Sequence, residues 1–187
     1  KAVVRALGVD PERLQVITVQ LVALKRGGEA VRLSKRRGEL ITLAELLDDV
    51  GPDACRYFFL ARSADAQMEF DLDLATKEAP ENPVYYIQYA HARIASIQRM
   101  AQERSVAPRE ADLSLLSTPI ELSLIRKILQ LPEVVEAAAR TLAPHRLPHY
   151  ALDLATLFHD FYTQCRVVGE DLALTAARLQ LVEAVRL

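Results

Sequence analysis

The cluster Pro80-Glu81-Asn82-Pro83 limits what this chain can fold into more than any other stretch. Two prolines within four residues interrupt helices and strands alike, so regular structure has to end before the cluster and begin again after it. Asn82 is a favourable N-cap residue, and Pro83 suits the first position of a helix. The sequence therefore predicts a domain boundary here, with one domain over residues 1–79 and a second over residues 80–187.

The second domain is predicted to be a bundle of helices. After Pro83, apolar residues recur at steps of three and four, which indicates a helix with one buried face. These residues are Ile87, Ala90, Ile94, Ile97 and Ala101. Further helices are predicted over residues 120–131, 133–142, a long segment that ends at 168, and 172–187. Pro132 is expected to separate two helices, and Pro144 and Pro148 to bracket a turn. About five antiparallel helices with short connections form a bundle.

The first domain is predicted to contain a β-hairpin. The β-branched residues over 14–25 indicate one long strand, and Gly27-Gly28 indicates a turn into a second strand at 30–33. An apolar strand of this length should be covered on both faces. No other strand is predicted, so its sheet partner is expected upstream of Lys1.

Two helices are predicted after the hairpin. Thr42 and Glu45 have the spacing of a capping box before a helix over 43–50, and a second helix begins at Asp53. Residues 63–79 are polar and acidic and are not assigned a strand. The expected fold class is mainly α: an α-helical bundle, preceded by the β-hairpin and helix end of a nucleotide-binding domain. Both ends of the chain lie within helical patterns and are expected to be cut.

A basic loop follows the hairpin turn. The thirteen residues 25–37 carry a net charge of +5, whereas the whole chain carries −2. A concentrated positive charge on an otherwise acidic chain favours an anionic partner at one place. Ser34 and Lys35 supply a hydroxyl and a compact ammonium, groups that bind phosphate oxygens. A solvated hairpin tip would have the same composition, and the loop by itself does not decide between the two interpretations.

Other classes of function receive little support. The chain has no run of about 18 apolar residues, so a membrane span is not expected. Cys55 and Cys165 lie in apolar helical stretches, which predicts buried free thiols and a reducing cytoplasm. His145 and His149 are four residues apart, but no third ligand lies near them in the sequence, so no metal site is predicted.

Four motifs, taken in order, resemble one enzyme family. Arg32-Leu33-Ser34-Lys35-Arg36 resembles the KMSKS loop of class I aminoacyl-tRNA synthetases, with Arg32, Leu33 and Arg36 replacing Lys, Met and Ser. Asp53-Ala54-Cys55-Arg56-Tyr57 resembles their D-A-x-R-aromatic helix. The runs Phe70-Asp71-Leu72-Asp73-Leu74-Ala75 and Asn82-Pro83-Val84-Tyr85-Tyr86-Ile87-Gln88-Tyr89-Ala90-His91-Ala92-Arg93 are similar to arginyl-tRNA synthetase in particular. From about residue 20 onward, the chain resembles the C-terminal half of that family.

The resemblance implies the end of a Rossmann-type class I catalytic domain in a cytoplasmic ligase of protein biosynthesis. Such an enzyme activates L-arginine with ATP, using Mg²⁺ as the co-substrate ion and no protein-bound metal, and transfers the arginine to tRNA(Arg). Ser34 and Lys35 would be catalytic, because a mobile cation that closes on the leaving phosphates stabilises the transition state. Arg32 and Arg36 would complete the ATP-binding set. The family's HIGH motif and most of its arginine site would lie upstream, so the fragment alone is expected to be inactive, and the enzyme to be a monomer without membrane contact.

A second set of residues is expected to bind tRNA. Tyr85, Tyr89 and Arg93 are spaced by four residues on one helix, and aromatic rings interleaved with a cation suit unstacked bases. Periodicity alone equally allows tyrosines that cover the core with their hydroxyl groups at its rim. The resemblance favours the first interpretation and implies packing between domains for Gln88 and His91. The full tRNA-binding set that it implies is Arg37, Tyr85, Tyr86, Tyr89, Arg93, Tyr162 and Arg166.

Two alternatives from other classes remain open. One is a non-catalytic tRNA-binding module that has kept the helical bundle. The other is a helical scaffold for protein interaction, in which the basic loop is only solvated. The carboxylate pair Asp71 and Asp73 is expected to cap a helix or to form salt bridges rather than to act in acid–base catalysis. Ser34 and Lys35 favour the enzyme, since a pure RNA-binding module needs no phosphate clamp.

Overall fold

The computed structural model describes residues 1–31, 41–104, 106 and 111–187. A three-stranded sheet in the order β2-β1-β3 lies at the centre of the N-terminal part. Strand β1 (Val22–Arg26) pairs antiparallel with β2 (Glu29–Ala30) and parallel with β3 (Met68–Asp71). Leu24 lies opposite Phe70 in the parallel ladder, and both are buried. A short helix, α1 (Ala2–Ala6), precedes the sheet.

The predicted long strand over residues 14–25 is wrong in two respects. The strand begins only at Val22, because the residues before it lack a ladder partner; Val19 and Leu21 are 76% and 88% exposed. The partner that was expected upstream is present within the chain as β3. Its residues alternate between buried and exposed, which is typical of a strand with one covered face, but four residues give a weak signal.

Short helices pack around the sheet. These are α2 (Leu43–Val50), α3 (Pro52–Leu60) and α4 (Leu72–Thr76). The predicted capping box is confirmed, since the Thr42 side chain accepts from the amide of Glu45 and the Glu45 carboxylate accepts from the amide of Thr42. Helix α3 begins one residue before the predicted start at Asp53. The buried side chains form one apolar core: Leu24, Leu46, Ala54, Cys55, Met68, Phe70, Leu72, Ala75 and Val84.

Five helices form the bundle that was predicted for the C-terminal part described. They are α5 (Pro83–Glu103), α6 (Pro119–Leu129), α7 (Leu131–Thr141), α8 (Arg146–Gln164) and α9 (Leu172–Arg186). Asn82 caps α5 as predicted, with its side chain accepting from the amide of Val84 at 3.0 Å. The predicted apolar stripe is confirmed as well, since Ala90, Ile94 and Ile97 belong to the bundle core together with Phe158 of α8.

The predicted positions of the helix breaks were wrong at three places. Pro132 and Pro148 both lie in the first turn of a helix, where a missing amide proton costs no hydrogen bond. Consequently α6 and α7 are separated only by Gln130, and Pro148 is helical rather than the end of a turn. Helix α8 ends at Gln164 rather than at residue 168, because Cys165 adopts an extended conformation. Both cysteines are free and buried, as predicted.

Candidate functional site

Three tyrosines and an arginine form one surface across α5 and α8, which we call the stacking surface: Tyr85, Tyr89, Arg93 and Tyr162. The rings of Tyr85 and Tyr89 are parallel within 6°, with centroids 6.0 Å apart. The guanidinium carbon of Arg93 lies 4.5 Å from the ring centroid of Tyr89 and 4.5 Å from that of Tyr162. Tyr89 and Tyr162 remain 41% and 40% exposed, so aromatic area faces solvent.

His159 of α8 packs against this surface. Its ring stacks on Tyr89 with centroids 5.7 Å apart, and its Nε2 lies 3.2 Å from the carbonyl oxygen of Tyr86. Burial lowers the pKa of the imidazole, the hydrogen bond to Tyr86 opposes this shift, and the charge of Arg93 adds to it. The neutral ring therefore donates its Nε2 proton to the carbonyl and joins α8 to α5. This supporting contact was not predicted from the sequence.

Tyr86 and Arg166 occupy different positions from the stacking surface. Tyr86 is half-buried, packs against the bundle core, and has its ring centroid 4.4 Å from that of His159. Arg166 follows the end of α8 with an exposed side chain, and its carbonyl accepts a hydrogen bond from Arg178 Nη1 at 2.9 Å. Among the residues described, the structure therefore groups four of the predicted tRNA-binding residues and leaves these two outside the group.

A buried ion pair fixes the segment that contains Arg166. Glu121 is fully buried, and its Oε1 accepts from Arg178 Nε at 2.7 Å. Its Oε2 accepts from the amide of Thr118 at 2.9 Å, which completes a capping box on α6. Burial raises the pKa of Glu121, but the hydrogen bonds from Thr118 and Arg178 outweigh it, so that the pKa lies below its usual value. Sequence reasoning missed this pair, because its members lie 57 residues apart.

The structure describes the basic loop only at its base, residues 25–31. Arg32, Ser34, Lys35, Arg36 and Arg37 lie outside the described residues, so their predicted roles remain predictions. At the base, Lys25 pairs with Glu69, and Arg26 Nη2 lies 2.7 Å from Asp49 Oδ2. These two cations contribute to the local charge of +5, yet their charge is balanced by neighbouring carboxylates. The positive excess available to an anionic partner is therefore smaller than the sequence indicated.

The glycine turn has the backbone that the sequence predicted. Gly27 and Gly28 have φ angles of 62° and 78°, which favour glycine. The amide of Gly27 donates to the carboxylate of Asp73, and Asp71 accepts from two amides at the start of α4. The prediction that Asp71 caps a helix is therefore confirmed, and Asp73 holds the turn.

Of the two residues assigned to packing between domains, the structure supports one. Gln88 Nε2 donates to Asp53 Oδ2 at 3.1 Å, which links α5 to α3. His91 is exposed and lines an apolar groove within the bundle, beside Tyr150 and Leu187, so its predicted role is wrong. Within the described ranges, no three metal-binding side chains come together. None of the helices described there is long and apolar enough to cross a bilayer.

Comparison with known proteins covers both parts of the chain. Residues 87–187 match the family model described as the DALR anticodon binding domain. Over all of its 187 residues, the chain is 57% identical to the arginine–tRNA ligase of Dehalococcoides mccartyi, and it is 54% identical to that of Moorella thermoacetica over a 190-residue alignment. It covers 34% of the length of each of these relatives, so it spans about a third of them.

The fold is likewise similar to a solved structure. The crystal structure of a protein identified as an arginyl-tRNA synthetase from Campylobacter jejuni superposes with a TM-score of 0.83 at 33% identity. The superposition covers 98% of this chain and 40% of the other. The match therefore includes the sheet and its short helices as well as the bundle.

Proposed function

Since this chain belongs to the family of DALR anticodon-binding domains, we propose that it is the C-terminal part of an arginine–tRNA ligase. In this proposal, residues 80–187 bind the anticodon region of tRNA(Arg), and residues 1–79 close the catalytic domain. The ligase would activate L-arginine with ATP and Mg²⁺ in the cytoplasm, as a monomer, and transfer it to the tRNA.

The stacking surface is the observation that carries the tRNA-binding role. Tyr89 and Tyr162 keep about 40% of their area in water, which leaves aromatic surface available to a ligand. The exposed part of each ring is aromatic area that a base can contact, and base–aromatic stacking contributes roughly 1–3 kcal/mol per base. Arg93 adds a cation beside these faces for the RNA backbone. Within this proposal, Tyr85 extends the surface along α5, while Tyr86 and Arg166 act at its edges.

The basic loop is assigned to the ATP phosphates. Ser34 and Lys35 would be the catalytic pair, with Arg32 and Arg36 as further phosphate ligands and Arg37 directed at the RNA backbone. Lys25 and Arg26 are not assigned to ATP, because their ion pairs hold the hairpin base to Glu69 and Asp49. The residues that bind arginine would lie mostly outside these 187 residues.

A binding experiment tests the RNA-binding role. The dissociation constant of the full-length ligase for tRNA(Arg), compared with a tRNA of another specificity, is measured between 50 and 200 mM salt, that is, over roughly the range in which phosphate contacts weaken. We expect preference for tRNA(Arg) and a steep loss of affinity with salt. Tyr162→Ala should weaken binding by roughly 5- to 150-fold, which corresponds to one lost stacking contact. Met100→Ala, an exposed change elsewhere on α5, is the control. Equal affinity for both tRNAs would refute the proposal.

A kinetic experiment tests the catalytic role separately. Arginine-dependent pyrophosphate exchange is measured with saturating tRNA(Arg). Lys35→Ala should slow exchange by about 10²–10³, which is the effect of removing one donor to developing negative charge, with little change in tRNA affinity. Tyr162→Ala should have the reverse effect. The 187-residue fragment alone should show no exchange, and measurable turnover by it would refute the assignment of the missing catalytic half.

A further inference from the structure

Three consecutive residues at the hairpin turn each contact a carboxylate from another element. Lys25 and Arg26 form the exposed ion pairs described above, with β3 and α2. The third residue, Gly27, donates its backbone amide to the carboxylate of Asp73 in α4. The turn is thus connected to α2 and α4 as well as to the sheet.

The contact of Asp73 differs from the two ion pairs, because it holds the main chain of the turn. An exposed ion pair stabilises little, since two long side chains have to be ordered and water competes for both. A carboxylate that accepts from a backbone amide forms a charge-assisted hydrogen bond, which is roughly twice as strong as a neutral one. It also fixes the position of the peptide unit itself. Of the three contacts, the one with Asp73 therefore has the most influence on the direction of the turn.

The turn consists of two residues with unusual conformational freedom. Gly27 and Gly28 connect the paired residues Arg26 and Glu29, with φ angles of 62° and 78°. Glycine adopts such angles at no steric cost, but it also loses the most conformational freedom when it is fixed. Strand β2 contributes only two residues, both exposed. The direction of the hairpin therefore depends on contacts from outside it, and Asp73 supplies such a contact to its backbone.

Asp73 is itself held in place. Its amide donates to Asp71 Oδ1 at 3.0 Å, as part of the cap at the start of α4. Asp71 lies opposite Lys25 in the parallel ladder, so the cap is built directly on the sheet. Leu72, between the two aspartates, is buried in the first core. The carboxylate of Asp73 is therefore a fixed point against which the turn is set.

We propose that Asp73 is a positioning residue for the reaction with ATP, acting through the turn rather than on the substrate. The chain reaches Lys35 eight residues after Gly27, so the direction of the turn affects where this ammonium can lie. Stabilisation of developing charge requires closely placed donors, and a misplacement of about 1 Å can cost roughly 10²-fold in rate. This inference rests on the proposed function, because it takes Lys35 to act on the phosphates of ATP.

Removal of the carboxylate should slow the chemistry without weakening substrate binding. In the full-length ligase with saturating tRNA(Arg), Asp73→Ala should lower kcat of arginine-dependent pyrophosphate exchange by about 10- to 100-fold, the effect of a misplaced group. The KM for ATP should change by less than about 3-fold, because the contact acts mainly in the transition state. Asp73→Asn keeps an oxygen that can accept from Gly27 and should recover most of kcat.

A double-mutant cycle with Lys35→Ala distinguishes positioning from a general structural role. Once the ammonium is absent, the turn has no ammonium to position, so Asp73→Ala should slow the Lys35→Ala enzyme by less than about 3-fold. A general loss of structure would instead multiply the two effects. The control is Asp112→Ala, which removes an exposed carboxylate that accepts from the amide of Ser114 at 3.0 Å, between α5 and α6. It should leave the exchange rate unchanged.

The outcomes separate this inference from the proposed function. The positioning role is refuted by a kcat for Asp73→Ala within about 3-fold of the wild type, by a full additional loss in the Lys35→Ala enzyme, or by no recovery with Asp73→Asn. If circular dichroism shows that Asp73→Ala is unfolded, Asp73→Glu replaces it; this variant keeps the charge, moves the acceptor by one methylene group and should lower kcat as well. If Lys35→Ala exchanges as fast as the wild type, the proposed function itself fails.

Discussion

Removal of Arg178 should reveal the energetic importance of the one buried carboxylate in the bundle core described here. Glu121 has 1% of its side-chain area exposed and Arg178 has 13%, so the pair has little access to water. Arg178→Met keeps most of the apolar stem and removes the charge. Among the residues described, the carboxylate of Glu121 then retains only the hydrogen bond from the amide of Thr118.

The expected cost follows from this uncompensated charge. Breaking a buried pair by removing one partner typically destabilises a protein by about 3–5 kcal/mol, whereas replacing both partners by apolar groups is often neutral. Arg178 also donates to the carbonyl of Arg166, so its loss removes a hydrogen bond from the segment after α8 and adds about 1 kcal/mol. We therefore expect Arg178→Met to lower the free energy of unfolding by an amount near the upper end of this range. The double variant with Glu121→Leu should lower it much less.

The assay is urea unfolding followed by far-ultraviolet circular dichroism, at pH 7 and at pH 4. In the wild type the pKa of Glu121 is lowered, so its contribution is present above the pKa of the unfolded chain and is lost as the pH falls through the folded value. In the variant no ion pair offsets the effect of burial on the carboxylate, so the pKa of Glu121 should rise. Protonation of Glu121 then removes the cost of the buried charge. The difference in unfolding free energy between variant and wild type should therefore shrink at pH 4.

Two results would refute this reasoning. One is a cost below about 1 kcal/mol for Arg178→Met, which is the range of an exposed pair. The other is a double variant that is no more stable than the single one, since this would attribute the loss to packing rather than to the unpaired carboxylate.

Three further predictions concern other described contacts. Asn82→Asp keeps the cap on Val84 but cannot donate to the carbonyls of Ala75 and Lys77, so thermal unfolding should show a loss of about 1–3 kcal/mol. Because the pKa of His159 is lowered in the folded protein, the unfolded chain binds more protons than the folded one below about pH 6.5, and stability should fall there. His159→Phe should remove this contribution to the pH dependence, as measured by urea titrations at pH 7 and 5. Arg26→Ala breaks an exposed pair and should cost less than about 1 kcal/mol by the same method.

Features determined by neighbouring residues could be predicted from the sequence. The caps at Thr42 and Asn82 and the glycine turn at Gly27 each depend on a few consecutive residues, and the structure has all three. The same is true of the apolar stripe of α5, because its period of 3.6 residues is a local property.

Features that depend on distant residues were missed. Strand β3 is four residues long, and it forms because Met68 lies opposite Val22, a pairing that the local sequence does not encode. Likewise, the sequence showed Tyr89 and Tyr162 as members of two separate helices. That Arg93 contacts both rings depends on how α5 packs against α8, and periodicity carries no information on that contact.

Helix α5 contributes to both cores. Val84, in its first turn, is packed with the sheet residues, while Ala90, Ile94, Ile97 and Ala101 belong to the bundle. Its 21 residues span about 31 Å without a proline after the first position. One continuous helix therefore joins the two cores. A change in the tilt of α5 within the bundle would therefore also displace Val84 relative to the sheet residues of the first core.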